Sequence, residues 1–393
     1  MREVTQQSTS PNITEQTFID MGMWLTHPNE HTAQQLETLL DEDARLPLIT
    51  LVNTYWLGGA LHNSLNASKV WHGLDPELQG YLAELGSFYH QRNEGIKHEA
   101  IFACQQLSEE NIPVVILKGG ASLFNGVFKT IGDRFMTDID LLVPEHFHER
   151  ANQVLMTYGY SPHVEGHEHT YDEHHHAPPL FRDGGYCSVE LHRWALKRSE
   201  SDVLSTDEIW QEASALVLTD TLTALHMSPS QQVVLSIAHS ELSHKGYETE
   251  HIDWRQLLNV YAIATHYQEQ IHWDDVFAHF KRCRKVGSLS ATLCAAYKYF
   301  ELTTPITNSD DKQAMRHVET CIKHYVDRQK PGRPFSYLQG VLNEYRKENM
   351  LMSYGGQGTF PVLSARMKLL KRHLLTAVNP KSLIRFIKKV FSS

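Results

Sequence analysis

Asp138 and Asp140 are separated by one residue within an apolar segment that runs to Val143. The composition of this segment predicts a strand, which Pro144 ends. Side chains alternate between the faces of a strand, so both aspartates project from one face, about 6.5–7 Å apart. Two carboxylates on one face repel each other unless a cation lies between them. Because Mg²⁺ prefers oxygen ligands, the pair predicts an open magnesium site, with Mn²⁺ as the alternative ion.

A third acidic residue, Glu190, lies in the segment from Cys187 to His192. Strand alternation places Glu190 and His192 on one face and Val189 and Leu191 on the other. If this strand pairs with the strand of the aspartates, Glu190 completes a cluster of three carboxylates. Such a cluster can hold two ions about 3.5–4 Å apart, which activate an attacking hydroxyl and neutralise a leaving phosphate. These three acidic residues are the predicted catalytic and metal-binding residues.

A glycine turn, Lys118-Gly119-Gly120, follows a β-branched run that ends at Leu117, and Ser122 opens a short helix after it. Glycines let the backbone approach a phosphate, and the amides at a helix N-terminus favour an anion. Lys118 and Arg134 would add positive charge near the β- and γ-phosphates of a nucleoside triphosphate. The predicted nucleotide-binding residues are Lys118, Gly119, Gly120, Ser122, Arg134, His176 and His192.

The elements that must position these residues predict a mixed α+β fold. A small α/β core over residues 110–198 combines two strands with a hairpin around Asp183-Gly184-Gly185. Helical periodicity predicts an N-terminal helical region over 17–109 and a C-terminal helical domain over 199–348, which returns to helix after Trp194. Residues 1–16 are predicted to be a disordered tail, and 349–393 a basic amphipathic tail.

The order of these motifs resembles a known family. The resemblance rests on Leu117-Lys118-Gly119-Gly120, on Arg134 ahead of Asp138-Ile139-Asp140-Leu141-Leu142-Val143, and on Val189-Glu190-Leu191-His192-Arg193-Trp194. His175 and His176 before Pro178-Pro179, and His239 and His244 before Trp254-Arg255, extend it. Together they are similar to the uncharacterised nucleotidyltransferase family of the polymerase-β-like superfamily, over roughly residues 95 to 300.

The resemblance implies a metal-assisted transfer of a nucleotidyl group from a nucleoside triphosphate, such as ATP, to an acceptor, with release of pyrophosphate. Asp138 and Asp140 would bind the ions. Glu190 would take the third acidic position, nearest the nucleophile, where the superfamily often has aspartate. Two alternatives remain: an inactive module that binds a nucleotide or partner, and a phosphotransferase that moves a terminal phosphate.

Histidines are the other candidates for chemistry. Six of them lie between His163 and His176 and predict either a metal-binding loop or a solvated one, with His175 and His176 placed to line the cleft. His239 and His244 are five residues apart on a predicted helix. That spacing does not put two side chains on one helical stripe, so a packed polar position and a substrate-pocket role remain open.

Charge and composition limit the partners. The net charge of −10 argues against a protein that coats nucleic acid, so a small molecule, a sugar or a protein is the favoured acceptor. Five scattered cysteines signal neither disulfides nor a zinc site, and no signal peptide or membrane span is evident, which predicts a cytoplasmic protein. The basic tail is expected to dock on the protein's own acidic surface, or alternatively to contact a membrane or partner.

Overall fold

The computed structural model describes residues 12–162, 175–307 and 310–329. The basic tail, the N-terminal residues 1–11 and most of the histidine-rich loop, 163–174, lie outside the described residues. The helices that precede the first strand are α1 (Glu15–Thr26), α2 (Ala33–Leu40), α3 (Glu42–Thr54), α4 (Gly58–Asn66) and α5 (Pro76–Glu109). In α5, Asp75 caps the first turn and Pro76 occupies the first helical position, where proline is tolerated.

The central sheet within the described residues is mixed and has seven strands. They are β1 (Val115–Ile116), β2 (Asp138–Leu142), β3 (Tyr160–Pro162), β4 (Leu180–Arg182), β5 (Ser188–His192), β6 (Ser214–Thr219) and β7 (Leu222–His226). Their order is β3-β4-β5-β2-β1-β7-β6, with β2 parallel to β5 and β1 parallel to β7. The architecture therefore agrees with the predicted mixture of helices and strands.

The pairing of β2 with β5 decides where the third carboxylate lies. Asp140 stands directly beside Glu190 in the register, and Asp138 beside Ser188. The intervening Ile139 and Val189 are fully buried in the apolar core on the other side of the sheet. The condition for a cluster of three carboxylates, the pairing of these two strands, is therefore met.

The short helix α6 (Lys118–Ser122) leaves the end of β1, and α7 (His148–Thr157) follows β2 after a 3₁₀ turn. Gly159, with φ of +88°, follows the end of α7 in a conformation that favours glycine. β4 and β5 form a hairpin around Asp183-Gly184-Gly185, as predicted.

The prediction of uninterrupted helix after Trp194 is wrong. Residues 214–226 form the hairpin of β6 and β7, and β7 pairs with β1, so the sheet extends well past residue 198. Leu216 and Leu218 are buried while Ala215 and Val217 are exposed, which is the period of a strand. The small and apolar residues of this segment are compatible with a helix or a strand. The pairing of β7 with β1 determines that the segment forms strands.

The remaining helices are α8 (Thr206–Glu212), α9 (Pro229–Ala238), α10 (Gly246–Thr249), α11 (Trp254–Tyr267), α12 (Trp273–Arg282), α13 (Val286–Phe300) and α14 (Lys312–Gln329). Ser228 caps α9 and Pro229 occupies its first helical position. The N-terminal and C-terminal helices share one apolar core, in which Trp24 and Trp254 are almost completely buried. Among the helices in the described ranges, none has the length and apolar character that crossing a bilayer requires.

Candidate active site

Asp140 is the most heavily contacted of the predicted carboxylates. It is almost completely buried on β2. The Lys118 ammonium donates to its Oδ1 over 2.6 Å, and His192 Nε2 lies 2.8 Å from the same oxygen. Burial alone would raise the pKa of Asp140, but Lys118 and His192 outweigh it and hold that pKa well below its usual range. Asp140 is therefore ionised and held in place by two positive neighbours.

Glu190 and His192 share one face of β5, as predicted. Oε2 of Glu190 lies 3.7 Å from His192 Nε2 and 3.5 Å from His176 Nε2. Burial opposes ionisation of Glu190, but hydrogen bonding to His192 and the nearby His176 leave its pKa below the ordinary value. Burial likewise disfavours a charged His192, yet the two carboxylates raise its pKa. His192 is a buried side chain that joins Asp140 to Glu190.

Asp138 lies in a different electrostatic environment. It is half-buried, and across the described residues its carboxylate makes no hydrogen bond or ion pair. Burial raises its pKa first, and the charges of Asp140 and Glu190 raise it further. Lys118 and Arg134 lower its pKa by less, so a bound cation would stabilise the charge of Asp138.

A cavity of about 360 Å³ connects these side chains. Its walls include Asp138, Asp140, Glu190, Lys118 and Arg134, each predicted as a site residue. His175 and His176, predicted to line the cleft, also line it, whereas His192 lies behind the carboxylates and is fully buried.

The glycine turn brings Arg134 into the cavity. A Cβ on Gly119 would lie only 1.6 Å from Arg134 Nη1, so the guanidinium packs directly on the glycine. Arg134 is nine-tenths buried, and within the described residues its Nε has no hydrogen-bond partner. Burial, with the nearby Arg255, lowers the pKa of Arg134 to about 10. A buried guanidinium without a carboxylate partner is suited to an anionic ligand.

Two residues of the glycine turn have local roles instead. The Ser122 hydroxyl donates to the Gly119 carbonyl over 2.6 Å, and the side chain lines a separate cavity of about 10 Å³. A Cβ on Gly120 would lie 2.9 Å from Ile116 Cγ2, on the side of the core. The structure thus brings Lys118, Gly119 and Arg134 to the carboxylates, but not Ser122 or Gly120.

The potential metal ligands differ from the predicted set in one member. Among the described residues, Asp140, Glu190 and His192 each offer a ligand atom, and these atoms lie within 4.8 Å of one another. Asp138 lines the same cavity but is not part of this group.

A family model described as an uncharacterised nucleotidyltransferase matches residues 42–301 of the chain. The chain belongs to this family. Membership identifies this nucleotidyltransferase as a transferase of nucleotidyl groups and confirms the family inferred from its motifs. The match begins in α3, so it includes N-terminal helices that the motifs did not reach. Neither the curated proteins nor the solved structures contain a significant match.

The wall of the nucleotidyltransferase cavity also includes His239 and His244, and their predicted separation on different stripes is wrong. Residues His239–Ser243 form a π-helical turn, in which the amide of His244 donates to the carbonyl of His239. This turn places residues five apart on one face, and the ring centroids are 4.2 Å apart. Both imidazole rings therefore lie at the wall of the cavity.

Lys197 and Arg255 line the cavity without having been predicted as site residues. The Lys197 ammonium donates to the Ser243 carbonyl over 2.9 Å, which ties the segment after β5 to the π-helical turn. Arg255 directly follows Trp254 in one of the motifs that support the family resemblance. The sequence therefore contained a signal that could have identified Arg255 as a site residue. Lys197 has no comparable local signal.

Gly119→Ala should weaken binding of inorganic tripolyphosphate about tenfold, because the new Cβ forces the Arg134 guanidinium away from its place. The nearest atom belongs to the end of a flexible side chain, so Tm should change by no more than about 3 °C. Calorimetric titration and thermal unfolding measure the two effects. Gly73→Ala is the matched control, because nothing lies within 4 Å of the Cβ that it would add. Unchanged tripolyphosphate affinity in Gly119→Ala would contradict a phosphate-binding role for Arg134.

Proposed function

We propose that the protein transfers a nucleoside monophosphate from a nucleoside triphosphate to an acceptor hydroxyl or similar group, releasing pyrophosphate. The single observation that carries this proposal is the convergence of Asp138, Asp140 and Glu190 on one cavity with Lys118 and Arg134. Carboxylates and phosphate-binding cations in one cavity are the components of metal-assisted phosphoryl chemistry. The proposal includes a polymerase-β-like core around β2 and β5.

The donor set fits a divalent cation, Mg²⁺ or Mn²⁺. Asp138 makes no hydrogen bond or ion pair with a described residue, and burial and two further carboxylates raise its pKa. We assign the ion to Asp138, Asp140 and Glu190. His192, whose Nε2 lies 2.8 Å from Asp140 Oδ1 behind the carboxylates, is assigned to positioning Asp140. The ion would supply charge neutralisation at the phosphates and a lower pKa for the attacking hydroxyl.

The residues of the chain bind and orient the triphosphate. Arg134 presents a preorganised fork of donors, and the ammonium of Lys118 lies beside Asp140, where it can also contact a phosphate oxygen. Arg255 and Lys197 add positive charge to the same wall. Because the chain has a net charge of −10, a small molecule, a sugar or a protein is a better acceptor than a long nucleic acid.

The test is incubation of the full chain with Mg²⁺ or Mn²⁺ and each α-labelled nucleoside triphosphate, in the presence of cell extract. We expect pyrophosphate release and a labelled acceptor, and both should be lost in Asp138→Asn. Asp220→Asn is the matched control, because Asp220 is exposed in the turn between β6 and β7. Tight nucleotide binding that ignores the metal, without turnover, would instead identify an inactive binding module. Transfer of only a γ-label would identify a phosphotransferase.

A further inference from the structure

Trp56 occupies a position that neither core packing nor backbone preference explains. It lies in the turn between α3 and α4, and half of its surface is exposed. Its φ is +57°, in the left-handed region that bulky residues rarely adopt. Glycine or asparagine would meet this conformation at lower cost. A role of the exposed aromatic ring, and not the backbone conformation, therefore explains why this residue is tryptophan.

The ring of Trp56 lies against a residue of the active-site cavity wall. It stacks on Phe135 with a centroid distance of 4.5 Å and an interplanar angle of 15°. Phe135 lines the cavity and directly follows Arg134. The preceding residue, Tyr55, packs against Trp254, whose neighbour Arg255 also lines the cavity. The two aromatic rings therefore contact segments that carry residues assigned to the phosphates.

Hydrogen bonds between distant parts of the chain fix this stack. Asn63 of α4 donates to Thr130 and to Asp133 in the loop before β2, both over 2.6 Å. A Cβ on Gly59 would lie 2.1 Å from the carbonyl oxygen of Gly132, so α4 and this loop are in direct contact. The position of Trp56 relative to Phe135 is therefore set before any ligand binds.

We propose that Trp56 and Phe135 form the stacking platform for the base of the bound nucleotide. This inference rests on the proposed function for the identity of the ligand. A nucleotide has its charged phosphates at one end and a flat π-system at the other. Arg134 and Phe135 follow each other along the cavity wall, and the half-exposed ring of Trp56 stacks on Phe135. Base stacking on aromatic side chains needs no particular hydrogen-bond pattern, so the platform alone would tolerate different bases.

The test measures binding of α,β-methylene analogues of the four nucleoside triphosphates, with Mg²⁺, to the full chain. Trp56→Ala should raise Kd for the analogues about tenfold, the effect of losing one base–aromatic stack. Affinity for tripolyphosphate, which has no base, should not change. Trp56→Phe should retain most of the nucleotide affinity while losing the quenching of tryptophan fluorescence that nucleotide binding produces. Tyr186→Ala removes a similarly exposed aromatic ring outside the cavity wall and is the matched control.

Two results would overturn the inference. One is unchanged nucleotide affinity in folded Trp56→Ala, which would assign the exposed ring to a different partner. The other is an equal loss of affinity for tripolyphosphate, which would mean that the substitution disturbs the phosphate site. Failure of the proposed function has a different signature. If no nucleotidyl transfer occurs, but Trp56→Ala weakens binding of the nucleotide analogues and not of tripolyphosphate, the stacking platform is supported and the proposed reaction is not.

Discussion

Replacing Asp140 with asparagine should lower the rate of nucleotidyl transfer by about 10³-fold, a loss comparable to removal of a group that stabilises developing charge. Asparagine keeps the volume of the side chain but removes the charge that attracts Lys118, His192 and the proposed cation. Lys118 then loses its only carboxylate partner within the described residues. His192 loses one of the two carboxylates that raise its pKa, so the imidazole should titrate at a lower pH.

The measurement is a transfer assay on wild type, Asp140→Asn and Asp220→Asn, with thermal unfolding as the check on folding. Nuclear magnetic resonance of labelled histidines should report the downward shift of the His192 pKa in Asp140→Asn alone. The proposed role of Asp140 is incorrect if a well-folded Asp140→Asn protein transfers nucleotide at a rate near that of Asp220→Asn.

The free energy of unfolding should fall as the pH rises from about 5 to 8, because the buried Glu241 side chain ionises over this range. This side chain is buried within the π-helical turn, where the Ser240 hydroxyl donates to its Oε1 over 3.1 Å. Burial raises its pKa from 4.5 to about 8; the Ser240 hydrogen bond opposes this increase, and the charge of Asp253 adds a smaller increase. His251, His317 and Asp253 line the small cavity at this position.

The folded state holds the Glu241 proton more tightly than the unfolded state. The contribution to stability is therefore complete below pH 4.5 and is lost as the pH rises through about 8. Glu241→Gln mimics the protonated form at every pH. We expect this variant to be more stable than wild type at pH 8, by about 2–4 kcal/mol, and to match it near pH 4.5.

Denaturant unfolding across this pH range measures the effect. Glu212→Gln is a suitable control, because Glu212 is an exposed glutamate at the end of α8. A wild-type and a Glu241→Gln curve that run parallel from pH 5 to 8 would show that Glu241 is ionised throughout and would refute the prediction.

The carboxylates of the candidate site could be located from the sequence because their geometry is local. Alternation along β2 places Asp138 and Asp140 on one face, whatever the rest of the fold does. The same alternation along β5 puts Glu190 and His192 on one face. The glycines of the turn predicted a close approach of a charged group to the backbone, and Arg134 makes this approach at Gly119. The pairing of β2 with β5, which the sequence left open, is shown by the structure and brings Glu190 beside Asp140.

Other features depended on contacts that no local pattern specifies. The π-helical turn adds one residue to the helical repeat and brings His239 to His244, contrary to the spacing of an α-helix. The β6–β7 hairpin exists because β7 pairs with β1, about 110 residues earlier in the chain. Likewise, Lys118 contacts Asp140 because β1 and β2 are antiparallel neighbours, so the lysine that was predicted at the phosphates also holds a carboxylate.

The sequence by itself determined the acidic residues, the glycine turn and the family, because residue type and short-range periodicity suffice for these. Only the tertiary structure decided that Arg134 packs on Gly119 and that Trp56 stacks on Phe135 at the cavity wall. Both depend on the docking of α4 and α5 against the loop before β2, where Asn63 and Asn93 hold its backbone and side chains. Such contacts join segments about 40 to 70 residues apart, and their energies depend on the packed arrangement and not on local preference.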